Sequence, residues 1–289
     1  LYVKLERTVE GVMQDEAARF LHGGDRRFGY PARESLERLS LADVRAWMSR
    51  ALAHGYLEVS VAGDIGEAEA RSLVAQTFGA LAPRPAEKPA YAEAREVGFP
   101  APGTRFEASA ETGLQRAILA GYWETTDMDA ISQVRRLGVL ARVFDDRLRK
   151  RLREELGEAY SPYAYHEASD VFDGYGHLTA ISLIAPDQTG PVAGLMRSIA
   201  DELAADGVSE DEFERMLAPL MNQIEEYRRS NRYWLRRVLM GASTEPRQLA
   251  WARSMVADYE AMTAREVSAL AEEYLGASRM VEVSVKPAE

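Results

Sequence analysis

Two stretches of this chain carry the same order of apolar and polar positions. After Ser40, the apolar residues Val44, Trp47, Met48 and Leu52 recur at helical spacing, which predicts a helix capped by the serine hydroxyl and stopped by Gly55. Leu57-Glu58-Val59-Ser60-Val61 then alternates apolar and polar as a half-buried strand does, and Gly63-Asp64 turns the chain into a second helix carrying Leu73, Val74 and Phe78. Near the C-terminus the design returns. Ser40-Leu41-Ala42-Asp43-Val44 matches Thr263-Ala264-Arg265-Glu266-Val267 at an offset of 223, and Leu57-Glu58-Val59-Ser60-Val61 matches Val281-Glu282-Val283-Ser284-Val285 at an offset of 224. Two matches in one order at nearly one offset imply a duplicated domain of about 220 residues. Only 39 residues precede Ser40, so the chain reads as the tail of a first domain followed by a nearly whole second one.

Between the copies, Ala82-Pro83-Arg84-Pro85-Ala86-Glu87-Lys88-Pro89 forbids continuous helix and reads as an interdomain linker. A second Pro/Gly cluster, Phe99 to Gly103, precedes a period-2 stretch beginning near Thr104. The expected domains are therefore 1–82, the end of a first domain; 83–103, the linker; and 104–289, the second domain. Within the second, Arg116 to Tyr122 reads as a strand. Met128, Ile131, Val134, Leu137, Leu140, Phe144, Leu148 and Leu152 trace a long helical stripe ending at Gly157. Tyr163 to Glu167 and Tyr175 to Ile184 predict a hairpin around Asp173-Gly174. Val192 to Leu203 mark a helix ended at Gly207, and Ser209 with Glu212 forms a capping-box signature for another. Its apolar face, from Phe213 to Tyr227, continues to Trp234, Leu235, Val238 and Leu239. Strands mixed with long helices, without regular β-α-β alternation, predict an α+β fold.

Composition narrows the function. With 289 residues, 46% of them apolar, the chain can bury a sizeable core. Its net charge of −11 disfavours a nucleic-acid or anionic-membrane partner. No apolar run reaches the roughly 18 residues of a spanning helix. Leu1-Tyr2-Val3-Lys4 has neither an initiator Met nor a signal-peptide core, and the chain reads as a piece of something longer. The absence of cysteine removes disulfides, thiolate metal sites and a Cys nucleophile.

The catalytic inventory is thin. There is no phosphate loop, no nucleophile elbow and no zinc motif of paired histidines on one helical face. His22, His54, His166 and His177 lack the three- or four-residue spacing such a motif needs. His166 and His177 could meet across the predicted hairpin near Glu167 or Asp170, depending wholly on strand register; ordinary imidazoles in a hairpin are the plainer reading. Arg147, Arg149, Lys150, Arg151 and Arg153 crowd the end of the long helix, where cations favour the helix dipole. Glu154, Glu155 and Glu158 offset them at once, against nucleic-acid binding. Tyr163 and Tyr165 share one strand face and suit cross-strand packing. Tyr160 follows Arg153 by seven residues with Gly157 between, so a turn there can bring a guanidinium and a phenol to one cleft. Both are hydrogen-bond donors suited to a peptide backbone and a developing oxyanion.

Arg151-Leu152-Arg153-Glu154-Glu155-Leu156-Gly157-Glu158-Ala159-Tyr160-Ser161 resembles the Leu-Arg-Glu-x-x-Gly-x-x-Tyr-Ser segment in the C-terminal, non-zinc halves of the pitrilysin/insulinase family of zinc metallopeptidases. Gly24-Asp25-Arg26-Arg27-Phe28, with the Ser40 helix and the Leu57 strand, resembles the closing part of a domain in that family. Asn231-Arg232-Tyr233-Trp234-Leu235 is similar to bacterial members. The resemblance implies homologous α+β domains paired into two halves that close on an unfolded peptide. Zinc and the catalytic base would lie in the N-terminal half, with no catalytic residue, metal ligand or cofactor in this chain. Arg153 and Tyr160 would bind the substrate backbone and stabilise the tetrahedral intermediate. The implied partners are that zinc-binding half of the same polypeptide and a peptide substrate; a periplasmic location is favoured on resemblance only. A non-catalytic peptide-binding or structural scaffold of the same fold is the alternative, and a separate subunit completing a partner's site is a third reading. The chain alone is expected to be inactive.

Overall fold

The computed structural model of the chain describes residues 1–156 and 161–288. Its first third forms helices α1 (Tyr2–Arg7), α2 (Val9–Val12), α3 (Ala18–Leu21), α4 (Arg33–Glu37), α5 (Leu41–His54) and α6 (Glu67–Gln76). Strands β1 (Arg105–Ala110) and β2 (Ala117–Glu124), helix α7 (Ile131–Leu156), and strands β3 (Tyr163–Ala168) and β4 (Gly176–Ile184) follow. Helices α8 (Thr189–Asp206), α9 (Glu210–Arg228), α10 (Asn231–Tyr233), α11 (Arg247–Glu260) and α12 (Ala264–Tyr274) lead to strand β5 (Val281–Pro287). Two compact units result. One comprises Leu1–Pro31, Ala92–Leu217 and Ala261–Glu289; the other comprises Ala32–Tyr91 and Ala218–Glu260.

The first unit is built on a five-stranded sheet in the order β1-β5-β2-β4-β3. Only β1 and β5 run parallel; the other pairs are antiparallel. The alternation read from the sequence sorts the side chains to two faces. Ile118, Ala120 and Tyr122 lie opposite Val285, Val283 and Val281. That face is covered by α2, a π-helical turn at Met13–Ala17, and α3, which contribute Val9, Val12, Ala17 and Leu21 to its core. On the other face α7, α8 and α12 pack together. Trp123 meets Phe144 of α7 at 5.2 Å between ring centroids, and the α7 stripe of Leu137, Leu140, Leu148 and Leu152 is fully buried. This is the expected mixed α+β architecture, and the predicted strands after residue 104 fall within about two residues of the observed ones. The helices before residue 22 went unpredicted: Leu5, Val9 and Val12 recur at helical spacing, but the π-helical turn at Met13–Ala17 shifts the phase before Ala17 and Leu21.

In the second unit the predicted helix after Ser40 is α5, and its capping box is formed: Asp43 N donates to Ser40 Oγ at 3.2 Å, and Ser40 N donates to Asp43 Oδ2 at 2.8 Å. Two expectations change here. The Phe213-to-Leu239 stripe is not one helix. It breaks after Arg228, where Ser230 Oγ accepts from Tyr233 N at 3.2 Å and starts a new turn, and Trp234–Leu239 is π-helical. Leu57 to Val61 takes no regular secondary structure and joins no ladder among the described residues; a strand requires a backbone partner. The segment is instead held by side chains, Tyr56 OH to Ser243 Oγ at 2.7 Å and Ser60 Oγ to Leu239 O at 3.3 Å. Arg84, in the proline-rich segment, donates to Gly55 O at 3.0 Å and to Leu52 O, closing the end of α5.

Candidate functional site

The end of α7 carries the basic cluster, and most of that charge is committed to acids. Arg147 forms a two-pronged pair with Glu212, Nε to Oε1 at 2.7 Å and an NH2 nitrogen to Oε2 at 2.9 Å, and also donates to Gly207 O at 3.1 Å. Glu212 completes the predicted capping box with Ser209. The Arg147 hydrogen bonds, then those of Ser209, pull the Glu212 carboxyl down to about 2. Arg149 pairs with Asp145, Lys150 with Asp146 and Arg151 with Glu202, at 2.6–2.8 Å. Arg153 differs: it is exposed and makes no ion pair with any described residue. Tyr160, its proposed companion, lies outside the described residues.

Just beyond, β3 is the edge strand of the sheet. Asp145 of α7 accepts from Ala164 N at 2.8 Å, tying the start of this edge to the helix that bears Arg153. Tyr163 and Tyr165 share a face, with their rings stacked at 5.9 Å and 18°, and both remain exposed. The strand therefore presents two exposed phenols on the sheet edge.

Register settles the histidine pair. Glu167 lies opposite His177 and His166 opposite Leu178, so the two imidazoles point to opposite faces and do not meet across the hairpin. His166 Nε2 is hydrogen-bonded to Thr125 Oγ1 at 2.9 Å, and His177 Nδ1 to Thr179 Oγ1 at 2.9 Å. Burial pushes both imidazoles down to about 4; His177 adds to the effect at His166, and His22 to that at His177. His177 sits edge-on to Tyr122 and Tyr175, and His22 stacks on Phe28 and Tyr175. These are packing contacts. Among the described residues no three His, Asp or Glu side chains are grouped to hold a metal ion.

A feature absent from the sequence reading is a polar groove of ≈ 670 Å³ lined by His22 to Arg26 and Glu96 to Gly98. Arg27 braces it by pairing with Asp25 and donating to the Ala94 and Glu96 carbonyls. The Gly-Gly-Asp-Arg-Arg run was a signal for a tight turn, since Gly23 and Gly24 take φ of 64° and 80°. Nothing in it forecast the segment it faces.

The layered α+β unit, with its mixed sheet and long basic-ended helix, matches solved peptidase structures. The peptidase M16 inactive domain from Pseudomonas fluorescens superposes with a TM-score of 0.74 at 16% identity, over 100% of this chain and 68% of that one. Pitrilysin gives 0.68 at 15% identity, over 99% and 30%. The ferredoxin protease FusC, solved in complex with Arabidopsis ferredoxin, gives 0.72 at 15% identity, over 98% and 30%. The chain thus spans less than a third of two of these proteins and about two-thirds of the other, and at such identities the likeness shows the fold. No curated protein matches in sequence. The family model described as the peptidase M16 inactive domain matches residues 38–220. The chain belongs to that family, as a C-terminal part of an M16 family protein.

Proposed function

We propose that this chain is the substrate-binding half of a zinc-dependent endopeptidase, with zinc and the attacking water held by an N-terminal half of the same polypeptide. In this reading residues 1–82 close a first domain, 83–103 link, and 104–289 form a second, homologous domain. Arg153 and Tyr160 donate to the peptide backbone and to the oxyanion of the tetrahedral intermediate. The observation that carries the reading is the state of Arg153. The other four cations at the end of α7 are held by carboxylates, whereas this one is exposed and available to a carbonyl or an oxyanion. The exposed phenols of Tyr163 and Tyr165 offer stacking surface on the adjoining edge strand. FusC, a ferredoxin protease solved in complex with Arabidopsis ferredoxin, supports a polypeptide ligand for this chain.

The test is kinetic and uses the complete enzyme. Arg153→Ala and Tyr160→Phe should each lower turnover by about 10²-fold, as removal of one oxyanion donor does. The loss should fall in kcat as well as kcat/KM, since the donors act in the transition state. Unchanged turnover in both variants would favour a non-catalytic scaffold of the same fold.

A further inference from the structure

In a chain of net charge −11, the stretch from Glu225 to Arg237 has the opposite sign. It holds five arginines, two glutamates and no lysine, for a local charge of +3. Arg228, Arg229, Arg232, Arg236 and Arg237 are all exposed, and none forms an ion pair with a described residue. Exposed arginines on other helices behave differently. Arg33 pairs with Glu37, Arg71 with Glu67 and Arg215 with Asp211, each across one turn of its own helix. Glu225 stands three and four positions before Arg228 and Arg229, yet neither pair is made. Arg232 and Arg236 are four apart, the spacing at which like charges repel. This charge therefore does nothing for the fold of the described residues.

The backbone that carries it is fixed. Trp234 Nε1 donates to Arg228 O at 2.9 Å, which ties the π-helical turn Trp234–Leu239 to the end of α9, and Val238 is buried. That tie holds Arg228 and Arg229 beside the turn bearing Arg236 and Arg237. Tyr227 is 65% exposed and Trp234 40%. Arginine, tyrosine and tryptophan without lysine is the composition of the energetic centre of a protein interface. We infer that this surface of the second unit docks an acidic segment of another polypeptide. Its Asp or Glu carboxylates take the guanidinium forks, and an apolar side chain lies on Tyr227. The size of the patch decides against other polyanions. A nucleic-acid duplex carries a charge every ~1.7 Å of its length and a membrane is charged across its plane, so either brings negative charge against the acidic remainder of the chain. A short acidic segment keeps its carboxylates within a Debye length, about 8–10 Å, of the arginines. This rests on the charge and packing of the second unit and not on the peptidase reading, so either can fail without the other.

The test is direct binding and involves no hydrolysis. The 289-residue chain is titrated into a fluorescein-labelled peptide of about ten residues, rich in glutamate and containing phenylalanine, and binding is read by anisotropy. The triple variant Arg232→Gln/Arg236→Gln/Arg237→Gln should weaken binding by about tenfold, and Tyr227→Ala by about fivefold. A control, Arg45→Gln/Arg50→Gln/Arg253→Gln, removes the same charge from exposed arginines elsewhere in the same unit and should leave binding unchanged. All these arginines are exposed and outside ion pairs, so their replacement leaves the packing intact. Parental binding by the patch variant overturns the inference, as does a control variant that weakens binding as much. Phosphatidylserine vesicles and inorganic polyphosphate are then titrated in place of the peptide. Weaker binding of both supports a polypeptide occupant; tighter binding of either, lost with the same three arginines, overturns it in favour of a phosphate-bearing ligand.

Discussion

His166 and His177 occupy neighbouring register positions, yet the pleat sends them to opposite faces, where His166 is half-buried and His177 buried, each hydrogen-bonded to a threonine hydroxyl. Burial disfavours the charged ring, so each is held near 4 instead of the ordinary 6.5. The sign of the linkage follows. Above pH 6.5 both folded and unfolded rings are neutral and the full stability is present. As pH falls from 6.5 toward 4 the unfolded chain binds protons that the folded one refuses, and stability is lost. Imidazole resonances of these two residues should titrate with midpoints near 4, and the unfolding free energy should decline across that window. A His177 ring titrating near 6.5 would contradict the burial assigned to it. At the same scale, the motif around Arg153 was legible because its residue types and spacing survive in sequence. That Arg147 and Arg151 would be neutralised was not, because the acids that hold them, Glu212 and Glu202, lie more than 50 positions away, whereas Arg149 and Lys150 pair with Asp145 and Asp146 one helical turn back.

Among the elements, α8 shows how a helix stop is fixed by packing. Gly207 ends it with φ of 74°, and a Cβ there would stand 2.6 Å from Ser268 Oγ of α12. Both the backbone conformation and the space call for glycine. Gly207→Ala should therefore cost about 1–3 kcal/mol, read as a shift in the denaturant midpoint without a change in slope. A stability equal to the parent's would show that the α8 end can relax. The predicted stop at Gly207 and the cap at Ser209 were legible because both are local chemistry. Strand order was not: β5, last in sequence, inserts between β1 and β2, and hydrophobic alternation carries no record of its neighbours. The break at Ser230 escaped because an apolar stripe continued through it, and the helices before residue 22 escaped because short helices joined by a π-helical turn do not keep one period.

For the whole molecule, the two units differ in how much of their folding they complete alone. The first buries a two-sided sheet; the second leaves its best apolar faces open. Fold class and family likeness came through in the sequence because they depend on periodicity and on one compact motif, both of which are written locally. Catalytic competence is a different matter, since it depends on groups converging from separate parts of a protein. Here the described residues gather no metal-ligand cluster, and the basic helix end offers donors without a base to activate water. On the proposed reading, in which zinc and the base lie in another half, the 289-residue chain purified alone should show no hydrolysis of unstructured peptides and should bind them weakly, with Arg153→Ala diminishing that binding. Fluorogenic peptide cleavage with and without a chelator is the decisive assay. A chelator-sensitive activity copurifying with the chain would mean that it holds a complete metal site, and the division of labour between two halves would have to be abandoned.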